Sequence, residues 1–302
     1  MLYQTGVILV LISAVCYGFI PIFSVYAYEA GATTLNFLFY RYLVAAIVFF
    51  LYLAVRRIKI QLSWRQVFWL FILGGVFNVV QSILFVSSVK YISAGLTTLL
   101  FFTHPILVAV LSYFQGEKLT RGTAVAIFIS FAGLFMVLDS SLGEVNTIGI
   151  ALSLGAALFY TGFVLLGNRL VKDMDVLVMN AFVSLFTVAV LFPLAYFDGS
   201  LGVPLTVKGF LAAAGCGLVT SNIAPFAFFA GITAVGATTA TILSNAEPVT
   251  AVVLSALLFS QHLTGMQLCG GLLILVGGTI AVLAKKRVKE GLPQNYPTKP
   301  IT

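Results

Sequence analysis

Charged side chains are scarce in this 302-residue sequence: Asp, Glu, Lys and Arg make up 8% of it, whereas 61% of the residues are hydrophobic. Soluble domains carry roughly 25% charged residues, so the composition excludes an ordinary soluble protein and indicates a membrane protein. The net charge of +7 does not indicate nucleic-acid binding, because the basic residues lie in short connections and at the C-terminus. We therefore expect membrane lipid, and no nucleic acid, among its partners.

Residues that commonly support catalysis or metal binding are few as well. The two histidines and three cysteines show neither metal-ligand spacing nor a plausible nucleophile–base pair. No Gly-rich, lysine-containing loop for ATP phosphates is present. Cys16, Cys216 and Cys269 lie within apolar stretches, which favours packing over a disulfide framework. We expect a protein that is not an enzyme, has no cofactor or metal, and does not itself use ATP.

Ten apolar stretches approach the length of about 20 residues that a helix needs to cross the hydrocarbon core. They are residues 6–28, 34–55, 67–88, 93–114, 122–138, 148–167, 176–197, 209–230, 236–259 and 265–284. The first follows no basic segment, so we expect it to be retained as a span rather than cleaved as a signal. The predicted fold class is all-α, a polytopic membrane bundle of ten transmembrane helices.

The positions of Lys and Arg predict the orientation of the chain. With the N-terminus in the cytoplasm, only Lys90 and Lys208 lie outside, and Arg41 lies within a span. The predicted cytoplasmic residues are Arg56, Arg57, Lys59, Arg65, Lys118, Arg121, Arg169, Lys172, Lys285, Lys286, Arg287, Lys289 and Lys299. The positive-inside rule therefore predicts both termini in the cytoplasm. Residues 285–302 are expected to form a disordered basic tail near anionic headgroups.

The two halves of the sequence fall into register after a shift of about 143 positions. Residues 6–53 then lie over residues 149–196, and Pro105 lies over Pro248; after a one-residue slip, Gly133 meets Gly277. Each copy has five apolar stretches, an odd number, so the second copy is expected to be inverted in the bilayer. We predict two inverted five-helix repeats, at residues 1–138 and 139–284. This architecture is typical of secondary transporters, which bind substrate near the midplane between the copies.

Ionisable residues at membrane depth are costly and are functional candidates by default. His104 and Glu247 each precede a repeated proline, Pro105 or Pro248, which is expected to kink its helix and free backbone carbonyls. Two interpretations stay open. His104 and Glu247 bind substrate or carry a coupling proton, or else Glu247 fixes or gates its helix while His104 satisfies a freed carbonyl. Arg41 is expected to extend towards the outer interface.

Amide and aromatic side chains supply the other candidates for substrate binding. The amides are Asn78, Gln81, Asn222 and Asn245. Amides in lipid commonly bond one helix to another, and lining a cavity is the alternative for these four. Tyr17 and Tyr160 occupy equivalent positions of the repeat, and Phe101 lies one turn before Pro105. These rings are expected to form the apolar walls of a pocket.

Several local patterns, with the repeat and the ten spans, resemble the EamA family of the drug/metabolite transporter superfamily. They are Pro105-Ile106-Leu107-Val108-Ala109 with Gly116-Glu117-Lys118-Leu119-Thr120, and Glu247-Pro248-Val249-Thr250-Ala251 with Leu263-Thr264 and Gly277-Gly278. Arg41 matches an arginine frequent in the family's second span. The chain departs from the family at Gln261-His262, where an acidic residue is usual, and at Tyr17-Gly18, where Trp-Gly is frequent.

The resemblance implies a carrier in the bacterial inner membrane that moves a small molecule by alternating access through a midplane cavity. Export of amino acids or related metabolites is the expectation, as facilitated diffusion or with a proton as the coupling ion. A drug-efflux or uptake carrier on the same scaffold is the alternative within transport. A membrane receptor that moves nothing is the alternative outside it.

Overall fold

The computed structural model describes residues 3–114, 121–139, 146–170, 174–235, 240, 243–260 and 263–290, and no strand occurs among them. The predicted all-α class is confirmed. The helices are α1 (Tyr3–Gly18), α2 (Ile20–Glu29), α3 (Thr34–Val55), α4 (Trp64–Phe71), α5 (Val79–Ser88), α6 (Ala94–Phe101), α7 (His104–Phe114), α8 (Arg121–Asp139), α9 (Thr147–Leu170), α10 (Val176–Phe197), α11 (Val207–Cys216), α12 (Ala224–Val235), α13 (Ala246–Phe259) and α14 (Gly265–Glu290).

Six helical stretches in the described ranges are long and apolar enough to cross a membrane: Tyr3–Glu29, Thr34–Val55, Trp64–Ser88, Thr147–Gly167, Val176–Phe197 and Val207–Phe228. The shorter apolar helices Ala94–Val108, Ala124–Met136, Ala246–Phe259 and Gly265–Ile280 fall on the other predicted spans. A multi-pass helical membrane protein is therefore confirmed, and the number of ten crossings stays a prediction.

The last helix, α14, continues to Glu290. Residues 285–290 of the expected disordered tail are therefore helical, which corrects the prediction for that part. Residues 291–302 lie outside the described range.

Polar side chains cap the helices at several of the predicted breaks. Thr33 accepts a hydrogen bond from the backbone N–H of Asn36 at the start of α3. Ser63 and Gln66 form a capping box at the start of α4, and Asp175 caps α10. Each cap contributes about 1 kcal/mol. The few polar residues between the apolar stretches therefore fix where the next helix begins.

The chain is interrupted next to both repeated prolines. α6 ends at Phe101 and α7 begins at His104, which places Pro105 in the first turn of α7. α13 begins at Ala246 after a turn at residues 244–245, which places Pro248 in its first turn. A proline in the first turn removes no intrahelical hydrogen bond. The expected kink within a continuous helix is therefore wrong: a new helix starts at each proline. Only the backbone of Pro105 is described.

A π-helical stretch lies in the middle of the third and of the eighth predicted span. Ile72–Asn78 joins α4 to α5, and Gly217–Ile223 joins α11 to α12. Such stretches are rare and are frequent at functional sites. The sequence pattern predicted two continuous α-helices here, so both π stretches are findings of the structure.

A glycine in each π stretch lets a helix of the other half approach closely. A Cβ atom on Gly74 would lie 2.5 Å from the backbone oxygen of Val183 in α10, and one on Gly217 would lie 2.5 Å from that of Arg41 in α3. Real Cβ atoms do not come so close to an oxygen. The third span is therefore packed against α10, and the eighth span is packed against α3.

Helices α8 and α14 pack against each other in antiparallel directions. A Cβ atom on Gly133 would lie 2.5 Å from the backbone oxygen of Gly270, and one on Gly277 would lie 2.8 Å from that of Ala126. Residue numbers thus increase along one helix as those of the contacting residues decrease along the other. Small residues at such crossings are typical of helix packing in membranes, where backbones approach closely.

An apolar cluster packs towards the end of the bundle that holds the α2–α3 and α10–α11 connections. Its fully buried members include Phe37, Leu38, Leu100 and Leu191, from α3, α6 and α10. A hydrogen bond from Tyr28 Oη to the backbone oxygen of Val86, at 2.9 Å, adds a polar tie. Asn36 Nδ2 donates to the backbone oxygen of Ser200 at 3.4 Å. Contacts between several helices therefore join this end of the bundle.

Candidate functional site

The residues before the two prolines face helices that carry the predicted tyrosines. A Cβ atom on Gly18 would lie 2.9 Å from the backbone oxygen of Glu247, so α1 lies directly against the start of α13. Thr161 Oγ1 donates to the backbone oxygen of His104 at 3.5 Å, so α9 lies against the start of α7. Tyr17 and Tyr160 are the preceding residues of those two helices. The structure thus brings the predicted tyrosines beside the predicted ionisable groups.

The imidazole of His104 lies among three aromatic rings. Its centroid is 4.7 Å from that of Tyr160, 5.2 Å from that of Phe101 and 5.3 Å from that of Phe102. Its Nδ1–H donates to the backbone oxygen of Phe101 at 3.1 Å. This carbonyl is one of those freed by the break between α6 and α7, so the bond supports the second interpretation of His104. The rings of Phe101 and Tyr160, which are predicted to line a pocket, both contact this imidazole.

Glu247 lies in the first turn of α13, with its backbone N–H donating to Ser244 at 2.9 Å. Its carboxylate forms no hydrogen bond or ion pair with any residue that the structure describes. Among the described residues, the fully buried side-chain oxygen and nitrogen atoms without a partner belong to Asn36, Ser130 and Asn222. The side chain of Glu247 is half-buried.

A hydrogen-bonded network joins Tyr42 of α3 to the third predicted span. Tyr42 Oη lies 2.7 Å from Ser82 Oγ and donates to Asn78 Oδ1 at 3.4 Å. Gln81 Nε2 donates to Asn78 Oδ1 at 3.1 Å and to Ser82 Oγ at 2.9 Å. Asn78 Nδ2 donates to Thr187 Oγ1 in α10 at 2.9 Å. Asn78 therefore bonds one helix to another, whereas the oxygen of Gln81 forms no bond within the described residues.

The other two predicted amides also bond between helices. Asn222 Nδ2 donates to the backbone oxygen of Ala45 in α3 at 3.2 Å, and its Oδ1 is buried without a partner in the described part of the chain. Asn245 Nδ2 donates to Thr279 Oγ1 in α14 at 2.7 Å. These contacts support the packing interpretation of both residues, with one unsatisfied oxygen left at Asn222.

Arg41 does not extend to the outer interface as expected, because its side chain is only 6% exposed. Its Nε donates to Ser221 Oγ in the second π stretch at 3.2 Å. Its guanidinium lies 5.0 Å from the centroid of the Tyr42 ring. A hydrogen bond and a cation–π contact thus hold the cation inside the bundle.

Tyr17 precedes Gly18, the residue of α1 that packs against the backbone of Glu247. Its hydroxyl is within electrostatic range of Arg41 and Glu247, and also of Tyr42 and Tyr160. Arg41, Tyr17 and Glu247 come from α3, α1 and α13, so three helices contribute to one polar region.

Comparison with known families decides the class of the protein. The model of the EamA-like transporter family matches residues 4–139 and again residues 147–283. The chain belongs to the EamA-like transporter family. Its two matched segments together cover most of the described helices, so the polar region around Tyr17 is a region of an EamA transporter.

Several proteins are similar to this EamA chain. The uncharacterized transporter YetK of Bacillus subtilis is 26% identical over 84% of this chain and 79% of its own length. An uncharacterized transporter of Archaeoglobus fulgidus is 28% identical over 90% of this chain and 94% of its own. One crystal structure matches with a TM-score of 0.65 and 16% identity, over 95% of this chain and 99% of that one. At this identity the match shows the fold alone.

Some features that carried the resemblance to the EamA family fall outside the described residues, namely residues 116–120 and 261–262. Tyr42, Ser82, Thr187 and Ser221 were not predicted from the sequence. Tyr42 follows Arg41 directly in the sequence. A phenol hydroxyl next to a cation within a span is a signal that could have identified Tyr42. Ser82, Thr187 and Ser221 give no such signal, because single hydroxyls are common in transmembrane helices.

Proposed function

We propose that this EamA transporter is a secondary carrier that exports amino acids or related small metabolites. Transport runs by alternating access through the polar space between residues 1–138 and 139–284. The family membership supports a carrier, and the export of amino acids is the finer part of the proposal.

The observation that carries the proposal is the carboxylate of Glu247, which lies at membrane depth without a hydrogen bond or ion pair to the described residues. A charged group at membrane depth costs about 2.5–3.5 kcal/mol on insertion scales, and it is retained where it faces protein partners, water or a ligand. Glu247 has no partner among the described residues. Its environment is completed by Tyr17 and Tyr160, whose rings offer apolar surface with a polar tip. Apolar walls with a few polar anchors are the usual form of a small-molecule site.

An inverted relation between the halves is the mechanical part of the proposal. The contact of α8 with α14 supports it, because these two helices are the fifth spans of the predicted repeats and run antiparallel. The contact of α3 with α10, the second spans, supports it in the same way. There Phe39 lies 6.0 Å from Phe192 and Phe50 lies 5.6 Å from Phe182. Parallel copies would place equivalent spans in the same direction.

The proposed orientation has both termini in the cytoplasm of a bacterial inner membrane. The end of the bundle with the apolar cluster that includes Leu100 and Leu191 then faces outward. Movement that opens this end and closes the other would expose the polar space alternately to the two sides.

Flux through the purified full-length protein in sealed liposomes tests the proposal. Vesicles loaded with a mixture of unlabelled amino acids should accumulate an external radiolabelled one by counterflow, and protein-free vesicles should not. Glu247→Gln should reduce the initial rate at least about tenfold, which corresponds to one lost charge interaction of about 1.4 kcal/mol. Absence of counterflow for every amino acid and metabolite of the panel would contradict the proposal.

A drug-efflux carrier is the second candidate, and the aromatic cluster around His104 favours it. The ring of His104 contacts those of Phe101, Phe102 and Tyr160, and Phe101 also contacts Tyr160. Such a surface accepts apolar cations. Efflux of ethidium from vesicles, unaffected by excess amino acids, would favour this candidate over the first.

A further inference from the structure

A groove of about 480 Å³ lies between the third, fourth and sixth predicted spans. Trp69 and Phe77 line it from the third span, Leu111 lines it from α7, and one face of α9 forms the remaining wall. Sites for small molecules commonly measure about 300–1,000 Å³, so the groove has the size of a binding site. None of the residues predicted to bind substrate is among those that line it.

The wall of the groove is aromatic where the third span meets α9. A Cβ atom on Gly162 would overlap the ring of Phe77, so this ring lies directly on the backbone of α9. The ring centroid of Phe77 is 6.4 Å from that of Phe159. Trp69 and Leu158 are 36% and 51% exposed. Exposed apolar side chains within a span face the hydrocarbon of the bilayer, so the groove opens towards lipid.

The length of the groove matches one leaflet of a bilayer. Along α9 it runs from Leu158 to Arg169, which is about 16 Å at the helical rise of about 1.5 Å per residue. The hydrocarbon core is about 30 Å thick, so one leaflet contributes about 15 Å. Arg169 lies in the last turn of α9, at the predicted cytoplasmic end of the sixth span. The groove thus extends from that interface to about the middle of the bilayer.

Positive charge lies at the cytoplasmic end of the groove. Arg169 lines that end, and its side chain is exposed. Arg65 is also exposed and lies one turn before Trp69 on the same side of α4. None of the described residues that line the groove is acidic. Trp69 suits this depth, because tryptophan is enriched where the membrane meets water. The groove therefore combines an apolar length with a basic end.

We propose that this groove binds one anionic phospholipid of the cytoplasmic leaflet. The phosphate and headgroup lie at Arg169 and Arg65, and one acyl chain lies along Phe77 and Leu158. A guanidinium presents donors that match phosphate oxygens, and basic pockets between helices on the cytoplasmic side bind anionic headgroups. A zwitterionic phospholipid fits the apolar length equally well, but its own ammonium competes for the phosphate. The inference does not depend on transport, because it concerns a surface that faces the bilayer.

Tryptophan fluorescence tests the proposal on the full-length protein in liposomes. The chain has two tryptophans, of which Trp69 lines the groove. Trp64→Phe leaves Trp69 as the single reporter, and Trp69→Phe leaves Trp64, which is 87% exposed, as the control reporter. Each variant is reconstituted in phosphatidylcholine with increasing fractions of phosphatidylglycerol or phosphatidylcholine that carries brominated chains. Bromine quenches an indole ring only on close contact, so quenching measures which lipid occupies the groove.

Brominated phosphatidylglycerol should quench Trp69 at a lipid fraction at least about fivefold lower than brominated phosphatidylcholine does, since each basic residue near the surface strengthens the binding of anionic lipid about fivefold. Trp64 should show a smaller difference. Equal quenching of Trp69 by the two lipids would overturn the proposal. A difference as large at Trp64 as at Trp69 would also overturn it, because the attraction would then belong to the whole membrane surface.

A charge variant in the Trp64→Phe background tests the headgroup end. Arg169→Gln should lower the preference of Trp69 for the anionic lipid about fivefold. Arg56→Gln is the matched control, because Arg56 is exposed at the predicted cytoplasmic end of α3 and does not line the groove. An unchanged preference in Arg169→Gln, or an equal loss in both variants, would contradict the proposed position of the headgroup.

A filling variant in the same background tests the apolar length. Leu158→Phe should narrow the groove and weaken the quenching of Trp69 by brominated phosphatidylglycerol. Leu51→Phe is the control, since Leu51 is 61% exposed on α3, outside the groove. Unchanged quenching in Leu158→Phe would place the acyl chain elsewhere and overturn the proposal. Size-exclusion chromatography identifies a variant that fails to fold, and the comparison of the two lipids at Trp69 then decides alone.

Discussion

The residues before the two repeated prolines are equivalent in the sequence, yet their surroundings differ. His104 donates to the carbonyl of Phe101 and is enclosed by rings, whereas the carboxylate of Glu247 has no bond to the described residues. Both positions use the same break and the same first-turn proline. In the first half the imidazole is bonded to its own backbone, whereas in the second half the carboxylate has no bond to the described residues. The difference indicates that the two halves have the same helix break and proline at this position, but that their side chains have different roles.

The amides of the third and eighth predicted spans show the same contrast in a weaker form. Asn78 takes part in a network with Tyr42, Gln81 and Thr187. Asn222 makes one bond to a backbone oxygen and leaves its own oxygen unpaired. In each half the amide holds the π stretch to the neighbouring helix, but only in the first half is it saturated.

The close packing at the two π stretches predicts an equal loss of stability when either glycine is replaced. Gly74→Ala and Gly217→Ala should each destabilise the protein by about 1–3 kcal/mol, because each adds a Cβ against a backbone oxygen that cannot move alone. Thermal unfolding of the detergent-solubilised protein measures the loss. Gly202→Ala is the control, since a Cβ there meets no atom within 4 Å. A large loss at only one of the two glycines would break the proposed equivalence.

The chemical side predicts unequal effects at the prolines. Glu247→Gln should lower flux at least about tenfold while the unfolding temperature stays the same or rises, because a charge without a partner is removed. His104→Leu should retain more flux but lose about 1 kcal/mol of stability with its hydrogen bond. Liposome flux and thermal unfolding are measured for both variants.

Glu29→Gln serves as the control for Glu247→Gln, since Glu29 is exposed at the end of α2. The reverse pattern, with flux lost at His104 and stability lost at Glu247, would show that the two positions have been assigned the wrong way round. In a proton-coupled carrier, Glu247→Gln would also flatten the dependence of flux on pH.

Replacement of Asn78 and of Asn222 tests the same comparison through a smaller change in stability. Asn78→Ala removes the three hydrogen bonds that the amide forms with Tyr42, Gln81 and Thr187, and should cost about 1–2 kcal/mol. Asn222→Ala removes one bond and one unpaired oxygen, and should cost less than about 1 kcal/mol. Denaturation of both variants under the same conditions measures the difference. An equal cost would mean that the oxygen of Asn222 has a partner after all.

Cysteine labelling gives the finest test, in a variant whose three natural cysteines are replaced by serine. Gln81→Cys should react with a water-soluble thiol reagent several times faster than Asn78→Cys, because Gln81 is only half-buried and its oxygen is open, whereas Asn78 is buried in its network. Protection of Gln81→Cys by an amino acid would connect this surface to the ligand. Equal rates at both positions would contradict the expectation that Gln81 is more accessible to water than Asn78.

Hydropathy predicted the fold well for a physical reason. A helix in lipid needs a long apolar stretch, and the capped starts at Thr33, Ser63 and Asp175 follow from the polar residues between such stretches. The candidate site was predicted less well. Glu247, His104, Tyr17 and Tyr160 do lie near one another, because the repeat places equivalent residues on equivalent helices.

The direction of Arg41 could not be read from its depth. A long cation about a turn or two from the interface can reach water or turn inward, and the choice depends on its partners. Here they are Tyr42 of its own helix and Ser221, which lies in the other half. Hydropathy records how apolar a stretch is, but it does not record which face of one helix meets which face of another. The network around Asn78 was missed for the same reason.

The winding of the two π stretches affects which way their glycine and amide side chains face. Four residues separate Gly74 from Asn78, but five separate Gly217 from Asn222. In an α-helix a five-residue step turns about 140° away from the starting face. The i→i+5 bonding of a π-helix widens the coil, so a residue five positions on lies closer to the starting face. Gly217 and Asn222 therefore both meet one neighbour, α3, just as Gly74 and Asn78 both meet α10.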